Sequence, residues 1–324
     1  MVQDLLAGID IGGTKLAVAI ASTDGKVLGR NSFPTDPDRS PHESMNHALE
    51  TLSGLAEKQQ GQLRAVGIGC AGPLDFDLGV VLSPPNMPLS WRQFPLRPFV
   101  ENALDLPVAI DNDANAAALG EHLYGAGRGY SDLVYLTIST GIGVGIIAGD
   151  RLVHRAGEGG HVTVQPGGAL CGCGARGCME ALCSGTGIAR RAQDELRRGR
   201  NSKMLEIVSG SDVKQVTAKT VEEAARAGDE VAIEVWRETT DLLAIGIGSI
   251  VALLSPQVVI LGGGVTAGAG EFLLQPLRDA LQERVHIISM QEVSVVQAGL
   301  GSDSVIHGAL VLAARELQLD RTSR

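Results

Sequence analysis

Apolar residues run almost unbroken over residues 5–11, stop at Gly12-Gly13-Thr14-Lys15, and resume over 16–21. Short continuous apolar runs predict buried strands, and the glycine pair predicts a tight turn between them. Asp24-Gly25 then predicts a two-residue hairpin into a strand at Val27-Leu28. Met45, Leu49, Leu52 and Leu55 recur at helical spacing, which predicts a helix over 42–59. A short buried strand is expected over 65–69, followed by a turn at Ala71-Gly72-Pro73. Residues 83–98 hold five prolines and read as an irregular loop. Residues 108–110 predict a strand, and 115–124 a helix led by the capping-type residues Asp111, Asn112 and Asp113.

The opening pattern then recurs. AGIDIGGTKLAVAI at 7–20 and YLTISTGIGVGIIA at 135–148 both read as strand, glycine turn with a hydroxyl residue, strand. A doubled hairpin of this kind suggests two similar α/β halves. A glycine-rich stretch follows over 156–187. Helices are expected over 187–198, 220–254 and 271–284, strands over 258–261 and 293–296, and a helix over the last twenty or so residues. No charged residue occurs over 242–270, a length that could span a membrane. Its glycines and the Ser255-Pro256 break favour instead a buried helix ending near Leu254 and then a buried parallel strand. The class is α/β in two domains: a small one over 1–115 plus about 301–324, and a large one over 116–300.

Composition narrows the function. Among 324 residues, 27 are basic and 37 acidic, a net charge of −10. Nucleic acid is a poor partner for such a surface. The densest basic segment, Arg190, Arg191, Arg197, Arg198 and Arg200, reads as a solvated helix face. The first residues lack the basic and apolar regions of a secretory signal. Of five cysteines, four fall at Cys171, Cys173, Cys178 and Cys183. That clustering points to metal ligands and the reducing cytoplasm rather than to a disulfide framework.

Five motifs carry chemistry. In Asp10-Ile11-Gly12-Gly13-Thr14-Lys15, backbone N–H groups and a hydroxyl can meet phosphate oxygens, and Asp10 can hold Mg²⁺ directly or through water. An ordinary tight hairpin is the other reading. Thr140-Gly141-Ile142-Gly143 repeats the logic, and neither hairpin has the spacing of a P-loop or a dinucleotide fingerprint. Gly262-Gly263-Gly264, directly after a buried strand, would let the flat face of an adenosine lie against backbone; a plain strand-to-helix turn fits equally. Asp111-Asn112-Asp113-Ala114-Asn115 places a carboxylate where it could accept the proton of an attacking sugar hydroxyl. A helix N-cap cluster is the alternative, and Asp111 and Asn115 can be read as only that. The most specific motif runs from Glu158-Gly159-Gly160-His161 to Cys171, Cys173, Cys178 and Glu180. Three thiolates and an imidazole close a tetrahedral structural Zn²⁺ site and leave no place for a catalytic water. The metal would order a segment that has no core of its own, with Glu158 and Glu180 held as sugar-hydroxyl acceptors. Cys183 is assigned to packing.

Together DIGGTK, NDANAAALGE, STGIGVG, GEGGH and CGCGARGCME resemble the ROK family of repressors, open reading frames and kinases. The resemblance runs in order through most of the chain. It implies the actin-like, hexokinase-type fold, two α/β domains around a central cleft that takes a hexose and ATP. By the same resemblance Asp113 is the catalytic base. Asn112, Glu158, His161 and Glu180 contact the sugar, with Gly72 and Asn86 in weaker sugar-loop patterns. His161 also ligates zinc with Cys171, Cys173 and Cys178. Asp10, Gly12, Gly13, Thr14, Lys15, Thr140, Gly141, Gly143 and Gly262 to Gly264 would serve nucleotide and Mg²⁺. The implied activity is phosphorylation of glucose, with fructose, mannose or an N-acetylated hexosamine as other substrates. Homodimers or homotetramers are usual in the family, and no membrane or nucleic-acid partner is implied. Repressors of the family carry a DNA-binding domain ahead of the first hairpin, where only nine residues stand here.

Overall fold

The computed structural model of the chain describes residues 2–83, 87–154 and 157–323. The chain opens with β1 (Gln3–Ile11), β2 (Lys15–Ser22) and β3 (Val27–Pro34), an antiparallel meander. Ser22 N–H donates to Lys26 O and Gly25 adopts positive φ. The β2–β3 loop is therefore Thr23-Asp24-Gly25, one residue longer than the two-residue hairpin expected, with glycine at the left-handed position. Helix α1 (Pro41–Lys58) starts at a capping box, Ser40 with Glu43. Then come β4 (Gly61–Cys70), the two-stranded β5 (Leu74–Asp75) and β6 (Val80–Val81), α2 (Leu96–Leu104), β7 (Val108–Asn112) and α3 (Asp113–Tyr124). Within the span expected to be an irregular loop, the described residues include the start of α2, which buries Leu96 and Val100. The proline count hid it.

The pattern repeats with β8 (Leu133–Ile138), β9 (Ile142–Ala148) and β10 (Arg151–Leu152). After them come α4 (Met179–Cys183), α5 (Gly185–Arg197), α6 (Met204–Ile207), α7 (Ala218–Arg226) and α8 (Glu230–Leu254). The single helix expected over 220–254 is two. Gly228 at positive φ breaks it, and Asp229 caps α8 by accepting from Ala232 N–H. Then follow β11 (Val258–Gly262), α9 (Gly263–Ala269), α10 (Glu271–Arg284), β12 (Ser294–Gln297) and α11 (Ser304–Ser323).

The two five-stranded sheets share one topology. The first has the order β3-β2-β1-β4-β7 and the second β10-β9-β8-β11-β12. In each, an antiparallel meander leads into three parallel strands, β1-β4-β7 and β8-β11-β12. Two compact units result, residues 1–129 with 302–324, and residues 130–301. Helix α3, expected to fall mostly in the large domain, packs in the first unit against α11.

Both faces of β1 and β2 and of the latter part of β4 are covered, which is why these stretches read as unbroken apolar runs, whereas the edge strand β3 is partly exposed. Leu5, Ile9 and Ile11 face the core with Met45 and Leu52 of α1, while Leu6, Ala19 and Ala65 pack with Ile306, Leu310 and Ala313 of α11. Helix α11 lies tightly between β4 and α3. A Cβ on Gly67 would stand 1.8 Å from Ala309 O, and one on Gly308 would stand 1.6 Å from Ala116 O. In the second unit α8 is the central helix. Leu243, Ile247 and Val251 join Val134, Leu136, Val259 and Leu261 of the sheet and Leu273, Leu277 and Leu281 of α10 in one core. The uncharged run over 242–270 thus supplies core from α8 and β11 while Leu253 and Leu254 at the end of α8 are exposed, and among the described residues no helix is long and apolar enough to cross a membrane.

Replacing Gly308 with alanine should destabilise the fold by about 2–3 kcal/mol, because neither helix backbone can retreat. Gly54, on α1, has open space around its Cβ position, and its replacement by alanine should stabilise by about 0.5–1 kcal/mol. Urea denaturation of both variants checks the pair.

Candidate functional site

In the first unit, three parallel strands end side by side. Asp10 of β1 is in register with Gly69 of β4, and Gly69 with Asp111 of β7. Ligand-binding groups in open α/β sheets collect at such carboxyl ends. Asp10 is 9% exposed. Burial, with the charges of Asp113 and Asp303 adding and Lys15 opposing, raises its carboxyl to about 7. Asp303, in the turn before α11, escaped the sequence reading; it forms an ion pair with Arg30. The Gly12-Gly13-Thr14-Lys15 turn closes with Gly12 N–H donating to Lys15 O at 2.9 Å. Thr35 holds the turn from outside: its hydroxyl donates to Gly12 O at 2.7 Å and its N–H to Thr14 O at 3.0 Å. No motif flagged Thr35.

Asp113 is the first residue of α3, and its Oδ1 accepts from Ala114 N–H at 2.8 Å. Asn112 is the N-cap, its Oδ1 accepting from Asn115 N–H at 2.9 Å, so the capping alternative holds for that oxygen. Its Nδ2 lies beside Gly72. Asp111 is buried and accepts from Asn115 Nδ2 at 2.8 Å, the structural role expected of both. Asn86 falls outside the described residues.

In the second unit, the Ser139–Ile142 turn stands at the end of β8. It lines a cavity of about 520 Å³ together with Gly185, Thr186, Thr217, Lys219, Glu222, Trp236, Gly264 and Val265. Thr140 and Gly264 reach this cavity. Gly262 instead ends β11 opposite Thr137, and Gly263 opens α9 at positive φ against Ile138 O. The triple glycine is therefore a strand-to-helix turn that also borders a cavity, with α9 as a helix that was not expected. Gly143 sits within β9, paired with Thr137.

His161, Cys171, Cys173 and Cys178 offer ligand atoms that all lie within 4.8 Å of one another. Cys173 Sγ and Cys178 Sγ are 3.7 Å apart, and Cys171 Sγ and His161 Nδ1 3.6 Å. A tetrahedral zinc with ordinary bond lengths would need about 3.8 Å and about 3.6 Å. The set fits Zn²⁺, with Nδ1 toward the metal and Nε2 outward, 3.7 Å from Glu158 Oε2. Burial pushes the Cys178 thiol up to about 12, whereas a bound cation ionises such thiols outright. The loop is built for closeness. Thr163 bridges Cys178 and Leu170 bridges Arg176, and a Cβ on Gly160 would lie 2.1 Å from Ile142 O. Glu180 Oε1 stands 3.9 Å from Cys171 Sγ. Glu158, His161 and Glu180 are thus gathered at one corner of the second unit. Cys183 is buried, its Sγ toward Thr239 O, in a packing role.

The ROK family matches residues 6–316. A glucokinase of Thermotoga maritima is 35% identical over 94% of this chain and 95% of its own length. The solved ROK hexokinase of Thermus thermophilus is 33% identical with a TM-score of 0.84, covering 97% of this chain and 99% of that one. A ROK family glucokinase of Streptomyces griseus, solved in complex with glucose and AMPPNP, is 36% identical with a TM-score of 0.80, covering 96% and 99%. The chain has the fold of these kinases, the actin-like arrangement.

An acid whose pKa rises on folding stabilises less as it ionises. The cost of Asp10 is absent below its ordinary 3.8, grows with pH, and levels off above about 7. Asp10→Asn should therefore raise the melting temperature in metal-free buffer, by more at pH 8 than at pH 5. Metal analysis of the purified chain should find about one zinc per chain. Cys178→Ser should lose that zinc and melt at least about 5 °C lower.

Proposed function

We propose that this chain, which belongs to the ROK family, transfers the γ-phosphoryl group of ATP to the 6-hydroxyl of a hexose, with glucose the preferred one. The observation that carries the reading is the corner where a Cys₃His set of zinc-like spacing holds Glu158, His161 and Glu180 together. Similarity to the Thermotoga glucokinase and to the Streptomyces glucokinase with its glucose and AMPPNP supports the substrate pair.

In this reading Glu158, Glu180 and the outward Nε2 of His161 accept or donate to sugar hydroxyls, and Asn112, Gly72 and Asn86 complete the grip. Asp113 takes the proton of the 6-hydroxyl as that oxygen attacks the γ-phosphorus, and ADP departs. Placement at the first turn of α3, with Oδ1 accepting from Ala114 N–H, holds the carboxylate in one orientation. Thr140, Gly141 and Gly143, with Gly12, Gly13, Thr14 and Lys15, serve phosphate oxygens, and the Gly262–Gly264 turn borders the nucleoside. Mg²⁺, held by Asp10, would neutralise charge on the triphosphate. An Asp10 carboxyl that titrates near 7 makes this hold weaken in acid. Zinc is structural, since its four ligands come from the protein. The setting is the cytoplasm, and the working form a homodimer or homotetramer.

A coupled assay of ADP release with glucose, mannose, fructose and N-acetylmannosamine should rank glucose first by kcat/KM. A tenfold preference for the N-acetylated sugar would reassign the substrate. Asp113→Asn should lower kcat by at least about 100-fold while glucose still binds by calorimetry. Near-normal turnover would remove Asp113 from the role of base.

A further inference from the structure

Glu180 has a second partner besides the metal loop. Its Oε2 accepts the backbone N–H of Ile142 at 2.9 Å. Ile142 closes the Ser139–Ile142 turn, the turn assigned above to phosphate. Two more bonds tie the same turn to the corner between α4 and α5. Gly185 N–H donates to Ser139 O at 2.7 Å, and the Thr186 hydroxyl donates to Thr140 O at 2.8 Å. Ser184, 1% exposed, caps α5 through Gly187 N–H and lies 3.0 Å from the Thr186 hydroxyl. Arg190 of α5 reaches back, donating to Ala181 O and Leu170 O on either side of the cysteine loop. Gly160, beside the metal ligand His161, rests directly on Ile142 O. Every one of these groups lies within the second unit.

From these contacts we infer that Glu180 and Thr186 are positioning residues for the nucleotide, which fix the phosphate turn and make nucleotide affinity depend on the metal loop. A glycine turn has many conformations to lose. Here two of its carbonyls, Ser139 O and Thr140 O, and the Ile142 N–H are already spent on the α4–α5 corner, and Ser139 N–H is spent on Gly141 O, so the N–H groups left for phosphate are held in one arrangement before ligand arrives. One oxygen of Glu180 serves the turn and the other faces Cys171, so a single carboxylate spans both sites. Sugar-side order and nucleotide-side order are then coupled with no long path between them. The inference rests on the kinase reading, because it takes the turn as a phosphate site.

Calorimetry with Mg²⁺-ADP and, separately, with glucose tests it without turnover. Glu180→Ala should weaken ADP binding about tenfold, the loss of one charge-assisted hydrogen bond, and weaken glucose as well. Glu180→Gln keeps an acceptor for Ile142 N–H, so it should restore ADP affinity while glucose binding stays weak. Thr186→Val should weaken ADP alone, and Thr186→Ser should restore it. ADP affinity unchanged in both Glu180→Ala and Thr186→Val would overturn the inference, as would Glu180→Gln losing as much ADP affinity as the alanine variant. Should Glu180→Ala fail to fold, the valine and serine variants at 186 decide by the same criterion. An unaltered chain that binds neither ADP nor glucose would instead sink the kinase reading itself.

Discussion

Four ligand atoms close enough to share one cation, from His161, Cys171, Cys173 and Cys178, are the constraint to which the glycine-rich loop is shaped. The segment between β10 and α4 is rich in glycine and poor in apolar side chains; among its described residues Val164 joins the large core, and Cys171 and Cys178 form a small cluster with Ala169 and with Ala181 of α4. Such a stretch cannot offset its own conformational entropy by burial. Three sulfurs and an imidazole at zinc spacing would, with the ion bound, substitute one strong multidentate tie for a core. A cation held there would fix which imidazole nitrogen faces outward and where Glu158 and Glu180 stand. Metal-binding geometry would then set the position of His161 itself and of Glu158 and Glu180, which stand two or three residues from a ligand.

The two sheets solve a different problem. Each must bring polar groups to the ends of central strands, β1 and β8 among them, whose bodies are mostly buried. Parallel strands do this by emerging together at one end of the sheet, so Asp10, Gly69 and Asp111 stand in register. The cost appears in Asp10, a carboxylate in surroundings that favour its neutral form. A cation near it would remove that cost, which is why one buried carboxylate can be both a liability to the empty protein and a sensible choice for a phosphate site.

Much of this was legible in the residues. The recurrence of strand, glycine turn, strand at 7–20 and 135–148 foreshadowed two sheets of one topology, because glycine turns and apolar runs are local signals. The cysteine spacing foreshadowed the metal cluster for the same reason. What stayed hidden depends on contacts across long sequence separations. Thr35 supports the first turn from a neighbouring strand, and Asp303 approaches Asp10 from the far end of the chain. The split between α7 and α8 rests on one glycine at positive φ within an otherwise helical pattern. Helix α2 was masked by prolines that sit near its start, where they are tolerated. Asn112 shows the limit of assigning one role to one residue: its oxygen caps a helix while its nitrogen faces Gly72.

The tight seat of α11 between β4 and α3 sets an order of assembly. Residues 130–301 form a contiguous unit that can close as soon as they leave the ribosome. The sheet that begins at Gln3 cannot cover its second face until Ser304–Ser323 have been synthesised. The part of the protein made first is thus completed last, and it waits with one apolar sheet face open while the middle of the chain finds its shape.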